Sequence, residues 1–195
     1  MIQKINDKII NWLIREGSVD EEDREVYQYG IQGIIENGIT LMVIFLDMVI
    51  LKSIVLGIVF ILSFKYLRRY SGGYHADTYL KCFILSDISF ICAIILVKYS
   101  VLSIEFYRIC GAVSLGILYC LGPVESPNKP LTDKEKQIYY KNEKITICIY
   151  MLVCIIMYFI NMADIEKAIE SAVILNGVTS LCVVVRRKND GNIYL

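Results

Sequence analysis

The run Ile31–Leu67, IQGIIENGITLMVIFLDMVILKSIVLGIVFILSFKYL, decides the fold class. It is apolar apart chiefly from Glu36, Asn37, Asp47, Lys52 and Lys65. A membrane-crossing helix needs about 20 residues, so these 37 suit two helices joined by a tight turn at Leu51-Lys52-Ser53. Asp47 then falls inside the first span or close to the turn. An intramembrane carboxylate faces protein or water, not lipid.

The same pattern recurs twice. Residues 83–122 hold two apolar stretches around a polar break at Lys98-Tyr99-Ser100 and Glu105–Arg108, and Gly122-Pro123 ends the second. Residues 145–185 form a third pair, split around Asn161–Glu170. The expected fold is therefore all-α and polytopic, with six apolar helical segments in three hairpins and one membrane domain over 1–195. Four full spans with one re-entrant or interfacial hairpin is the competing topology. Composition agrees: 56% of the 195 residues are hydrophobic and mean hydropathy is +0.54, beyond the usual apolar share of a soluble domain.

The remaining stretches are amphipathic or polar. In residues 1–29, Ile2, Ile5, Ile9, Ile10, Trp12, Leu13 and Ile14 recur at near-helical spacing among charges. They predict an amphipathic helix, lying on the bilayer or packed on the protein's own surface. The acidic run Asp20–Asp23 reads as the solvated start of a second helix. No cleavable apolar core occurs early in the chain, so insertion is expected to rely on the later segments. Residues 123–144 read as a hydrophilic loop holding all three prolines and five lysines, and 186–195 as a polar tail opened by Arg186-Arg187-Lys188. By the positive-inside rule these cations, with Arg68 and Arg69, put both termini and the 68–82 segment on the cytoplasmic side of the plasma membrane. Formal net charge is zero, which argues against nucleic acid as a partner.

Chemistry is expected in Arg68–Cys82, RRYSGGYHADTYLKC, which holds the single histidine, His75, and one of seven cysteines. The other six cysteines lie in apolar runs and read as small hydrophobes. With one histidine and no CxxC pair, neither a metal nor another cofactor is expected. On a continuous helix His75 and Cys82 would share a face but stand roughly 10 Å apart, too far to act together. Gly72 and Gly73 supply a break, and Asp77 or Thr78 a helix cap. That arrangement folds His75 back over a helix starting near Thr78. Cys82 then lies one turn in, where helix N-termini and imidazolium groups favour nucleophilic thiolate. His75 can polarise the thiol and protonate a leaving amine. Arg68 and Arg69 are expected chiefly as topological anchors, and alternatively as groups steadying negative charge.

The pattern Arg68-Arg69, Gly73, His75-Ala76, Cys82 resembles the core of AgrB, the accessory gene regulator B family of quorum-sensing systems. The stretch GPVESPNKPL, with Pro123, Asn128, Lys129, Pro130 and Leu131, resembles that family's loop after its middle hairpin. The resemblance covers essentially the whole chain. It implies a membrane cysteine endopeptidase that cleaves the C-terminal part of an AgrD-like propeptide on the cytoplasmic side. It carries catalytic roles onto two residues only, Cys82 as nucleophile and His75 as proton shuttle; Arg68, Arg69, Gly73 and Lys129 are the candidate supporting residues. A peptidyl thioester on Cys82, then closure to a thiolactone or lactone autoinducing peptide, and a homodimer are also implied. The rival readings are a small peptide transporter without proteolytic activity and a non-enzymatic membrane scaffold.

Overall fold

A computed structural model describes residues 2–73, 78–99, 102–124 and 132–189. They form seven helices: α1 Ile2–Arg15, α2 Arg24–Ile50, α3 Ile54–Ser71, α4 Tyr79–Tyr99, α5 Ile104–Leu121, α6 Asp133–Ile160 and α7 Ala163–Asn189. The 3-10 turn Glu21–Asp23 runs directly into α2, as the acidic run predicts. No strand occurs among the described residues, only an isolated bridge. Five helices are long and apolar enough to cross a membrane, namely α2 with its 3-10 turn, α4, α5, α6 and α7. α3 has 18 residues, as α5 does, but carries Lys65, Arg68 and Arg69 in its second half. Large apolar side chains stand outward on α2 (Met42, Phe45, Ile50), α4 (Ile84, Ile88) and α6 (Leu152, Ile155, Phe159). A surface of that kind belongs in lipid. The protein is an all-α polytopic membrane protein.

The first hairpin turns at Leu51-Lys52-Ser53. Leu51 N–H donates to Asp47 O at 2.8 Å and Ser53 N–H to Met48 O at 2.9 Å. Lys52 adopts φ of 49°. Lys98 of α4 donates to Leu51 O at 2.6 Å, placing a cation on the negative end of α2. Asp47 lies in the last turn of α2 beside Asp87 of α4, so it faces protein. At the other end of α2, α1 docks through Asn6 Nδ2 donating to Gln28 O at 2.8 Å and Gln28 Nε2 to Asp7 Oδ1 at 2.7 Å. Ile10 is buried beneath it, whereas Trp12 stays 57% exposed. The amphipathic helix therefore uses both surfaces, one on its own chain and one facing outward.

α7 is the central wall, packed most extensively on α3 and α5. Its Ile169 and Val173 join Leu67, Leu115, Leu118, Ile147 and Tyr150 in one core. Its Ala172 joins Ile44, Met48, Phe60, Phe90 and Ile94 in another. Small residues bring the backbones together, as is common where lipid supplies no apolar drive between helices. A Cβ on Gly177 would stand 2.8 Å from Ser114 Cβ, and one on Gly111 would overlap the Glu170 carboxylate.

Two polar stretches differ from the sequence reading. The 161–170 break is only a turn: Asn161 is left-handed with φ of 59° and α7 begins at Ala163. Glu166 and Glu170 are 1% and 3% exposed. Arg108 pulls Glu166 inside, with Nε to Oε1 at 2.6 Å and Nη2 to Oε2 at 2.9 Å. Arg108→Leu would leave a buried carboxylate without that partner. It is expected to cost about 3 kcal/mol, read as a fall of several degrees in the thermal midpoint of detergent-solubilised protein. The second difference lies in 123–144, expected as a loop, which is helical from Asp133 onward. Thr132 and Glu135 form a capping box, each binding the other's backbone N–H, so Lys134, Lys136, Lys141 and Lys144 ride on a helix.

Candidate active site

Two glycine turns build the site. Gly72 ends α3 with φ of +66° and Gly122 ends α5 with φ of +67°. Both are conformations that cost residues with a Cβ. The two chain exits then meet, because Val124 N–H donates to Ser71 O at 2.9 Å and Gly72 pairs with Val124 in a parallel bridge. A Cβ on Gly72 would overlap the Val124 carbonyl. The Tyr70 and Tyr139 rings, 6.3 Å apart, bring the first turns of α6 to the same end. The 68–82 stretch and the start of GPVESPNKPL are thus bonded to each other.

Cys82 enters from α4. Its N–H donates to Thr78 O at 3.1 Å, and Lys81 N–H reaches Thr78 Oγ1 at 3.5 Å. Thr78 therefore caps the helix, and Cys82 lies one turn in and half-buried, as the sequence reading places it. The Arg68 guanidinium is within electrostatic reach of that thiol.

Arg68 is held from several sides. Nη1 donates to Thr179 Oγ1 of α7 at 2.9 Å. The guanidinium lies 6.0 Å from the Phe64 ring centroid, and it covers Gly73, where a Cβ would collide with it. Gly73 has φ of +122°. Arg69 instead turns outward over the Tyr70 ring at 5.7 Å. Among the expected site residues, Arg68 and Gly73 are in contact, Cys82 lies within electrostatic reach of Arg68, and Arg69 stands apart. His75 and Lys129 lie outside the described residues, as do Asp77, Asn128, Pro130 and Leu131. Thr179 and Val124 are the site neighbours that sequence reasoning missed. No local pattern marks a threonine 111 residues from its arginine.

The model of the accessory gene regulator B family matches residues 6–184. The chain belongs to the AgrB family. It is similar to an AgrB-like protein of Clostridium perfringens (strain SM101 / Type A), 27% identical over 94% of this chain and 90% of that one. AgrB-like protein 2 of Clostridium perfringens (strain 13 / Type A) is 26% identical over the same shares. AgrB-like protein 1 of strain 13 is 27% identical over 75% of this chain and 77% of its own. No solved structure matches. AgrB membership carries a role in an accessory gene regulator system, with a membrane environment and a link to the AgrD propeptide.

Proposed function

We propose that this AgrB-family protein is a membrane cysteine endopeptidase acting on an AgrD-like propeptide. The observation that carries the reading is the placement of Cys82 in the first turn of α4, capped by Thr78 and within electrostatic reach of the Arg68 guanidinium. Cys82 Sγ attacks the scissile carbonyl while His75 accepts the thiol proton. As the C–N bond breaks, His75 returns that proton to the leaving amine, and the C-terminal tail departs. The remaining peptide is a thioester on Cys82. An internal cysteine thiol, or a serine hydroxyl, then displaces Cys82 and closes the ring, returning a proton to the departing sulfur. Thioester-to-thiolactone exchange conserves bond type, so closure needs no nucleotide. It needs water kept away and the internal nucleophile held close.

The positive-inside bias supports a cytoplasmic site, since Arg68, Arg69 and the α6 lysines share one end of the bundle. These lysines are suited to attract an acidic precursor tail. Charge reversal at Lys129, Lys134 and Lys136 is expected to raise the KM for such a precursor several-fold and leave kcat nearly unchanged. Steady-state processing at two salt concentrations checks this. A homodimer is part of the same reading, and cross-linking in native membrane tests it.

The deciding experiment reconstitutes the protein in liposomes with a cognate precursor and follows intact mass. Wild type is expected to give free tail, a peptide adduct on Cys82 and a cyclic product. His75→Ala is expected to give none of the three. Cleavage that persists in Cys82→Ala would place the chemistry elsewhere, and export without cleavage in wild type would favour a transporter.

A further inference from the structure

We infer that Thr179 and Asn176 of α7 are positioning residues for Arg68, so that α7 fixes a cation within electrostatic reach of Cys82. Thr179 is saturated in one sense only. Its hydroxyl donates to Asn176 O at 3.0 Å, which leaves an oxygen lone pair to accept from Arg68 Nη1 at 2.9 Å. Asn176 acts on the backbone of the same turn. Its Nδ2 donates to Phe64 O at 3.3 Å and to Ala172 O at 2.9 Å, tying α7 to α3 one turn before Arg68. Asn176 is 0% exposed, so this fastening lies inside the bundle and well removed from solvent. The Phe64 ring and the Gly73 backbone bound the guanidinium elsewhere.

A long cationic side chain loses several rotatable bonds' worth of freedom when it is held like this. The gain is a donor fork already aimed before charge develops, which is where electrostatic stabilisation of a transition state is most effective. Arg68 steadies the oxyanion formed when Cys82 attacks, and Thr179 never touches the peptide. The catalytic half of this inference rests on the endopeptidase reading, whereas the positioning half does not.

Two readouts separate them. The first is the rate at which phenylglyoxal modifies Arg68 in reconstituted protein, mapped by peptide mass. Thr179→Val keeps the side-chain shape and removes the hydroxyl, so modification is expected to speed up several-fold; Thr179→Ser should match wild type. The second is single-turnover formation of the Cys82–peptide adduct. Loss of a hydrogen bond to a charged group predicts a fall of roughly 10- to 100-fold in Thr179→Val, with restoration in Thr179→Ser and little change in peptide binding. In an Arg68→Ala background, Thr179→Val should add almost nothing. Unchanged phenylglyoxal reactivity in Thr179→Val, or an equal loss in valine and serine variants, would overturn the positioning role. Faster modification in Thr179→Val with no adduct even in wild type would uphold the positioning role and reject the endopeptidase.

Discussion

Cys82→Ala is expected to abolish precursor cleavage, with a loss of at least about 10³-fold, while the protein inserts and packs normally. The magnitude follows from chemistry: without the sulfur there is no acyl-enzyme, and the remaining binding groups give only residual catalysis. Packing is expected to survive because the Cys82 side chain is half-buried in the first turn of α4 and belongs to neither core cluster. Cys82→Ser is a sharper form of the test. It keeps shape and the possibility of a covalent adduct, but a hydroxyl is a poorer nucleophile and an ester a slower acyl donor for ring closure. Intact-mass analysis should show slow or no cleavage in the serine variant and no sulfur-linked peptide. Alanine substitution at Cys92, Cys120, Cys148 or Cys182, all on the outer surface of the bundle, is expected to leave processing near wild type. A large loss from any of those four would mean that the nucleophile had been misassigned.

Outside the two residues of the proposed dyad, Gly72→Ala is expected to have the largest effect. The new methyl would overlap a backbone carbonyl, that of Val124, and no rotamer change can move a carbonyl held in a bridge. The left-handed conformation at φ of +66° adds about 1–2 kcal/mol for any residue with a Cβ. Relief requires the α3 exit to separate from the α5 exit, and that also shifts the adjoining Gly73–Arg68 contact. Processing is expected to fall by roughly 100-fold, since misplacement of about 1 Å at a catalytic group has costs of that order. The helices should stay intact, because Leu67 and Leu118 anchor the bundle just below the bridge. Circular dichroism and thermal midpoint, measured beside activity, check this separation. A variant with native activity would show that the bridge is dispensable. Gly73→Ala meets a side chain rather than backbone, so its loss is expected to be smaller.

Much of this protein could be read locally. The Ile31–Leu67 run specified two helices and their turn because backbone polar groups in lipid must be satisfied within a helix, and nothing distant is needed to conclude that. The helix start near Thr78, with Cys82 one turn in, followed from cap chemistry and glycine placement. Two charged clusters mislead a local reading, the acidic one because its partners lie far along the chain and the basic one although its helix start is local. Glu166 and Glu170 looked like a polar break, because charge normally marks a surface; Arg108 and Gly111 drew them inside. The lysines of 134–144 looked like loop because the prolines before them dominate the composition, although Thr132 and Glu135 start a helix there.

The amino-acid sequence by itself determined that this is a helical membrane protein of the AgrB type, with a thiol placed at the start of a helix. Only the tertiary structure decided what stands around that thiol. Helical periodicity and capping act over a few residues, so sequence spacing reports them directly. The Ser71–Val124 bond, the Gly72–Val124 bridge and the Arg68–Thr179 bond join segments far apart in the chain. Such contacts form when α7 packs between α3 and α5, and no local spacing encodes where two packed helices will bring a hydroxyl to a guanidinium.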